Sequence, residues 1–77
     1  GRKIDFTNKE YDLLVYLAEH QGRVISREEL LDRVWGYEYV GDCRTVDIHV
    51  RRVRKKLDED KNSSIIETVF GVGYKLV

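Results

Sequence analysis

The side chains with the charge and reach for recognition chemistry crowd into one stretch, RTVDIHVRRVRKKL, residues 44–57. Six of its fourteen residues are Arg or Lys. Among them Arg51 and Arg52 have the reach and the forked geometry for the O6 and N7 of guanine. Other reactive types are sparse: one cysteine, Cys43, and two histidines, His20 and His49. A lone cysteine forms no internal disulfide, and a zinc site takes about four Cys or His ligands, so no metal site is expected. These three residues lack the spacing of a nucleophilic or acid–base constellation, so neither an enzyme nor a cofactor is expected. Cys43 is either a small packing residue or, at a helix start that lowers thiol pKa, a redox sensor. His49 beside a phosphate would bind more tightly when protonated, although a neutral donor does the same positioning. His20 reads as a capping or surface residue.

Charge is segregated along the chain although the total is zero. Residues 44–56 hold six cations and one acid, Asp47; residues 1–43 hold six cations and nine acids; residues 57–77 hold two and four. The net values are therefore +5, −3 and −2. A neutral chain with one strongly basic segment keeps nucleic acid among its possible partners. At 77 residues it makes one domain, and a chain of that size buries about 60% of its unfolded surface. No apolar run reaches the 18 or more residues of a membrane span, and residues 1–6 are too short and charged for a signal peptide. With one cysteine, a reducing cytoplasm is the expected setting.

Two helix starts set the frame for the other elements. Thr7-Asn8-Lys9-Glu10 and Ser26-Arg27-Glu28-Glu29 both read as capping boxes, with Phe6/Tyr11 and Ile25/Leu30 as hydrophobic staples. The first helix should span about 8–20, burying Tyr11, Leu14, Val15 and Ala18, and stop at Gly22. Arg23-Val24-Ile25 is a brief strand or a linker. A second helix over about 27–34 buries Leu30, Leu31 and Val34. The loop from Trp35 to Asp42 leads to a third helix over about 44–57, with Asp42 as N-cap. After a solvated turn over 58–64, strands at 65–69 and 74–77 flank Phe70-Gly71-Val72-Gly73, a hairpin turn.

On the third helix Val46, Val50, Val53 and Leu57 fall within about 60° of one another and form the buried stripe. Opposite lie Arg44, Ile48, Arg51 and Lys55, with Thr45 and Arg52 beside them. Basic helix faces are often merely solvated. An outward isoleucine among cations suits a groove in which a thymine methyl sits between phosphates. A helix-loop-helix followed by a basic helix and a glycine-tipped hairpin has the order of a winged helix.

The segments TNKEYDLL, VISREELLDRVWG, DCRTVDIHVRRVRKKL and IIETVFGVGYKLV, which cover nearly all of the chain, resemble the effector domain of the OmpR/PhoB family of bacterial two-component response regulators. The resemblance implies an α+β fold, a winged helix-turn-helix with three helices and a carboxy-terminal hairpin wing. Of the family's four-stranded amino-terminal sheet only a last piece, near Arg2 to Phe6, is expected, so that sheet is largely truncated. The receiver domain that precedes it in the family is expected to lie outside this chain, Gly1 reads as a cloning remnant, and some apolar surface of the first helix is expected to lie uncovered.

By position, Arg52 matches the family's base-reading arginine and Ile48 its apolar base contact, with Arg51 beside them. Trp35, Arg44, Thr45, His49, Arg51, Arg54, Lys55, Thr68 and Tyr74 fall at or beside phosphate-contact positions. Tyr37, Glu38 and Tyr39 lie in the loop that can touch RNA polymerase in relatives, although loop aromatics also plug cores. The resemblance implies pairs of copies on direct repeats of double-stranded DNA, controlled by a sensor kinase through the receiver. Phe70 departs from the pattern, because the family often has an arginine just before the first wing glycine. Either the wing contact is weaker, or Phe70 packs or inserts apolarly, or Lys75 supplies the charge. Outside the family reading, the basic face would dock on an acidic protein partner.

Overall fold

Thr7 turns the chain into the first helix, α1 (Asn8–Glu19), with a complete capping box. In this computed structural model, which describes residues 5–37, 39, 41–57 and 65–77, the Glu10 N–H donates to Thr7 Oγ1 at 3.3 Å and the Thr7 N–H to Glu10 Oε1 at 2.9 Å. The buried stripe of α1 is Glu10, Leu13 and Leu17, not the expected face. Leu14 and Val15 are half-buried, Ala18 is exposed, and Tyr11 is 58% exposed, so the first staple is not buried. Residues 13–18 are apolar all round, so periodicity there is weak. Glu10 is drawn inside because Lys56 and Thr7 satisfy its carboxylate.

The second start is made differently. Ser26 Oγ accepts the Glu29 N–H at 3.0 Å, but the Glu29 carboxylate turns to the Tyr16 hydroxyl and the Arg23 guanidinium instead of closing the box. Here the staple residues Ile25 and Leu30 are both fully buried. Helix α2 (Arg27–Leu30) continues into a π-helical turn, Leu31–Trp35, closed by the Gly36 N–H on the Leu31 carbonyl at 3.1 Å. The φ of +101° at Gly36 ends it, and Lys9 Nζ takes the Val34 carbonyl at 2.9 Å. Helix α3 (Arg44–Lys56) comes next. Its N-cap is Cys43, without a side-chain cap bond, and not the expected Asp42; Asp42, one residue earlier, still serves the helix start, its Oδ1 accepting the Arg44 N–H at 3.0 Å.

Ile25–Ser26 is a strand, β1, and not a linker. It pairs antiparallel with β3 (Gly73–Leu76), which pairs in turn with β2 (Ile66–Val69), giving the order β1-β3-β2. The third strand starts one residue earlier than expected, at Gly73. A Cβ there would lie 1.9 Å from the Ile25 carbonyl oxygen, so only glycine lets β1 and β3 meet. At the hairpin tip the Val72 N–H bonds the Val69 carbonyl at 3.0 Å, and Gly71 takes φ +78°.

The core joins Leu13 and Leu17 of α1, Leu30 and Val34, Val46, Val50 and Val53 of α3, and Ile25, Ile66 and Tyr74 of the sheet. The buried stripe of α3 is thus the predicted one, with Leu57 half-buried at its end. Most of the expected strand near Arg2–Phe6, and all of the turn over 58–64, fall outside the described residues; Asp5 and Phe6 lie in no strand. Among the described residues, no helix is long and apolar enough to cross a membrane.

Candidate nucleic-acid interface

Burial of Val46, Val50 and Val53 leaves the opposite face of α3 in solvent. Arg51, Arg52 and Lys55 are exposed, Ile48 is 48% exposed among them, and Arg44 stands at the amino end. Among the described residues Arg51, Arg52 and Lys55 make no ion pair or side-chain hydrogen bond. Arg44 lies 2.9 Å from Asp42, which raises the guanidinium pKa and lowers that of the carboxyl. Both groups are exposed, and such a pair is weak enough for a phosphate to displace.

The flank of α3 toward the preceding loop holds a second group of predicted contacts. His49 Nδ1 lies 2.8 Å from the Thr45 carbonyl, which can only accept, so Nδ1 carries a proton. Its ring meets Trp35 edge-on, with centroids 4.8 Å apart at 80°. Tyr39 Oη and Thr45 Oγ1 are 3.2 Å apart. Trp35, Thr45 and His49 thus form a half-buried shelf beside the cationic face. In the loop Tyr37 is 79% exposed, Tyr39 folds back onto α3, and Glu38 lies outside the described residues.

The opposite flank meets the hairpin. Arg54 donates to the Ile66 carbonyl and to Thr68 Oγ1, the latter at 2.8 Å, and lies 5.8 Å from the centroid of the Tyr74 ring. Tyr74 is 7% exposed, and its hydroxyl donates to Asp47 Oδ1. Burial, reinforced by that bond to a carboxylate, pushes the phenol up to about 12. Asp47 Oδ2 takes Arg27 of α2 at 3.0 Å, which raises the pKa of the guanidinium. Three predicted contacts, Arg54, Thr68 and Tyr74, are therefore joined in the seam between α3 and the hairpin. Asp47 and Arg27 are the seam residues that sequence reasoning missed. The available signal was the lone acid of the basic segment, seven residues before Arg54 and about 20° from it around the helix.

Cys43 is half-buried, and burial, with Glu28 nearby, pushes its thiol up. That opposes the thiolate a redox sensor needs. His20 caps as expected, with Nδ1 2.8 Å from the Tyr16 carbonyl. Among the described residues, no group of three or more His, Cys, Asp or Glu side chains is placed to hold a metal ion.

Three helices, the last cationic outside and seamed to an antiparallel hairpin, define a winged helix-turn-helix. The chain matches the family model described as transcriptional regulatory protein, C terminal, over residues 1–76, and it belongs to that family. It is 51% identical over 77 residues to the sensory transduction protein RegX3 of Mycolicibacterium smegmatis, covering 99% of this chain and 34% of that protein. The chain thus spans about a third of the length of this curated relative. Among solved structures it is similar to the DNA-binding domain of Bacillus subtilis CssR, with a TM-score of 0.87 and 44% identity over 100% of this chain and 83% of that one. It is also similar to the DNA-binding domain of Klebsiella pneumoniae RstA, solved in complex with RstA box, with a TM-score of 0.87 and 33% identity over 100% and 77% of the two chains. The chain is an output domain of the OmpR/PhoB type.

Proposed function

We propose that the chain binds double-stranded DNA sequence-specifically as the output domain of a two-component response regulator. The exposure of Arg51, Arg52 and Ile48 on one face of a helix anchored by three buried valines carries this assignment. Helix α3 enters the major groove, where Arg52 and Arg51 take guanine edges and Ile48 a thymine methyl. Trp35, Arg44, Thr45, His49, Arg51 and Lys55 hold phosphates and set the register. Arg54 and Thr68 reach the backbone as one bonded pair: the Thr68 hydroxyl accepts from Arg54 and keeps its own proton to donate. Tyr74, buried and already donating to Asp47, holds the hairpin instead.

Residues 1–77 act as a single domain. Two copies bind direct repeats side by side. The loop segment Tyr37, Glu38 and Tyr39, of which Tyr37 is exposed, meets RNA polymerase. In the full-length cytoplasmic protein, a receiver domain phosphorylated through a sensor kinase promotes the pairing. Neither an enzymatic activity nor a cofactor is part of this function.

Selection from a random duplex pool at near-physiological salt, with an Arg51→Ala/Arg52→Ala control, tests the assignment. A short motif enriched by the chain and lost in the control is expected. Enrichment that survives in the control would remove base reading from Arg51 and Arg52. Weakly salt-dependent binding without base preference would favour an acidic protein partner.

A further inference from the structure

Resting on the DNA-binding assignment above, we propose that Phe70 and Val72 form an apolar wing tip that contacts the sugar walls of the minor groove, in place of a cation. Phe70 is 91% exposed and Val72 52%, so nearly all of the phenyl ring and half of the valine face solvent. The tip is held in shape by the Val69–Val72 bond and the left-handed Gly71. It also moves with α3, because Arg54–Thr68 and Asp47–Tyr74 tie the hairpin to that helix. The surface from the outer face of α3 to the tip is therefore one rigid body.

The charges of the hairpin decide how such a tip can bind. Lys75 is paired across the strands with Glu67 at 2.9 Å. Among the described residues it is the hairpin's one cation, and residues 69–73 carry no charge. A wing so composed offers DNA apolar atoms. Aromatic and aliphatic side chains enter minor grooves by packing on sugars or wedging at a base step. Such a contact releases no counterion, so it adds affinity that salt does not erode.

The experiment is a salt titration of binding to a duplex carrying one copy of the enriched motif, for the wild type, Phe70→Ala, Phe70→Leu and Phe70→Arg. Phe70→Ala should bind about fivefold to tenfold more weakly at every salt concentration, with the wild-type slope. Phe70→Leu should recover most of the loss. Phe70→Arg should steepen the slope of log K against log salt by ~0.9. Wild-type binding by Phe70→Ala at every salt concentration overturns the proposal, as does a loss confined to duplexes carrying two copies of the motif, which would put the tip on a second copy. The Arg51→Ala/Arg52→Ala control separates the two assignments. If it loses base preference while Phe70→Ala binds normally, only the wing proposal fails; if it keeps the preference, the assignment of base reading to Arg51 and Arg52 fails.

Discussion

The outer face of α3 and its seam with the hairpin are built from the same residue types and used in opposite ways. Outside, Arg51, Arg52 and Lys55 are exposed. In the seam, Arg54 is spent on the Ile66 carbonyl and Thr68, and Asp47 holds Tyr74 and Arg27. The difference is angular. Asp47 and Arg54 lie beside the valine stripe, where the sheet meets the helix, and the other cations lie farther round. An arginine two positions from another can therefore be structure while its neighbour is interface. Substitutions on the seam should cost stability and leave base preference intact, and those on the outer face should do the reverse.

The largest effect belongs to the strand beneath the seam. Gly73→Ala places a methyl on the Ile25 carbonyl, and since the methyl is fixed to the backbone of β3 and the oxygen belongs to that of β1, the two strands must separate. A loss of about 3 kcal/mol is expected, from overpacking with a broken sheet pairing. Denaturant unfolding measures it. Unchanged stability would mean that β1 is not needed to hold the hairpin.

Tyr74→Phe comes next, because it removes only the hydroxyl from Asp47. A hydrogen bond to a charged partner contributes roughly 1.5–3 kcal/mol. The same residue gives the seam a pH signature. Its folded pKa is about 12 against an unfolded value of 10.0, so its contribution is complete below pH 10 and is lost as pH rises through 12. The stability difference between wild type and Tyr74→Phe should therefore shrink over that range. A constant difference would show that the hydroxyl is not held as a neutral donor.

Local grammar made much of the scaffold legible. Both helix starts, the valine stripe of α3 and the hairpin were visible because each is set by residues close in sequence. The buried face of α1 was not. The sequence places Glu10 only in a capping box; its burial depends on Lys56, forty-six residues away, whose bond with that of the Thr7 N–H outweighs the desolvation that raises its pKa and leaves the carboxyl lowered. Half of the second capping box was lost for the same reason, because Tyr16 of α1 takes Glu29. In the site, exposure of Arg51, Arg52 and Ile48 followed from helical geometry alone. The engagement of Arg54, Thr68 and Tyr74 with one another needed the sheet to be in place.

On the outer face, Arg52→Ala should leave the unfolding midpoint unchanged, lose roughly 1–3 kcal/mol of specific affinity and relax base preference at one position. Binding to a panel of single-base variants of the enriched motif measures this. Full retention of preference would move the reading role to Arg51 or Ile48. Together with Tyr74→Phe it forms a paired test, since each variant should be silent in the other's assay.

Arg54→Ala is the smallest effect and the sharpest probe, because the residue sits on the seam and has also been assigned to phosphate. Removing it takes away two hydrogen bonds, to the Ile66 carbonyl and to Thr68, which should cost about 1 kcal/mol of stability. If Arg54 also holds a phosphate, binding should weaken equally for all sequences, and the salt slope should flatten by about one unit. If the guanidinium is fully used by the hairpin, stability falls and the slope stays at its wild-type value. Arg51→Ala, fully on the outer face, supplies the reference: its slope should flatten while its stability does not move. The position of Arg54 between these two behaviours measures how far a cation committed to the fold remains available to DNA.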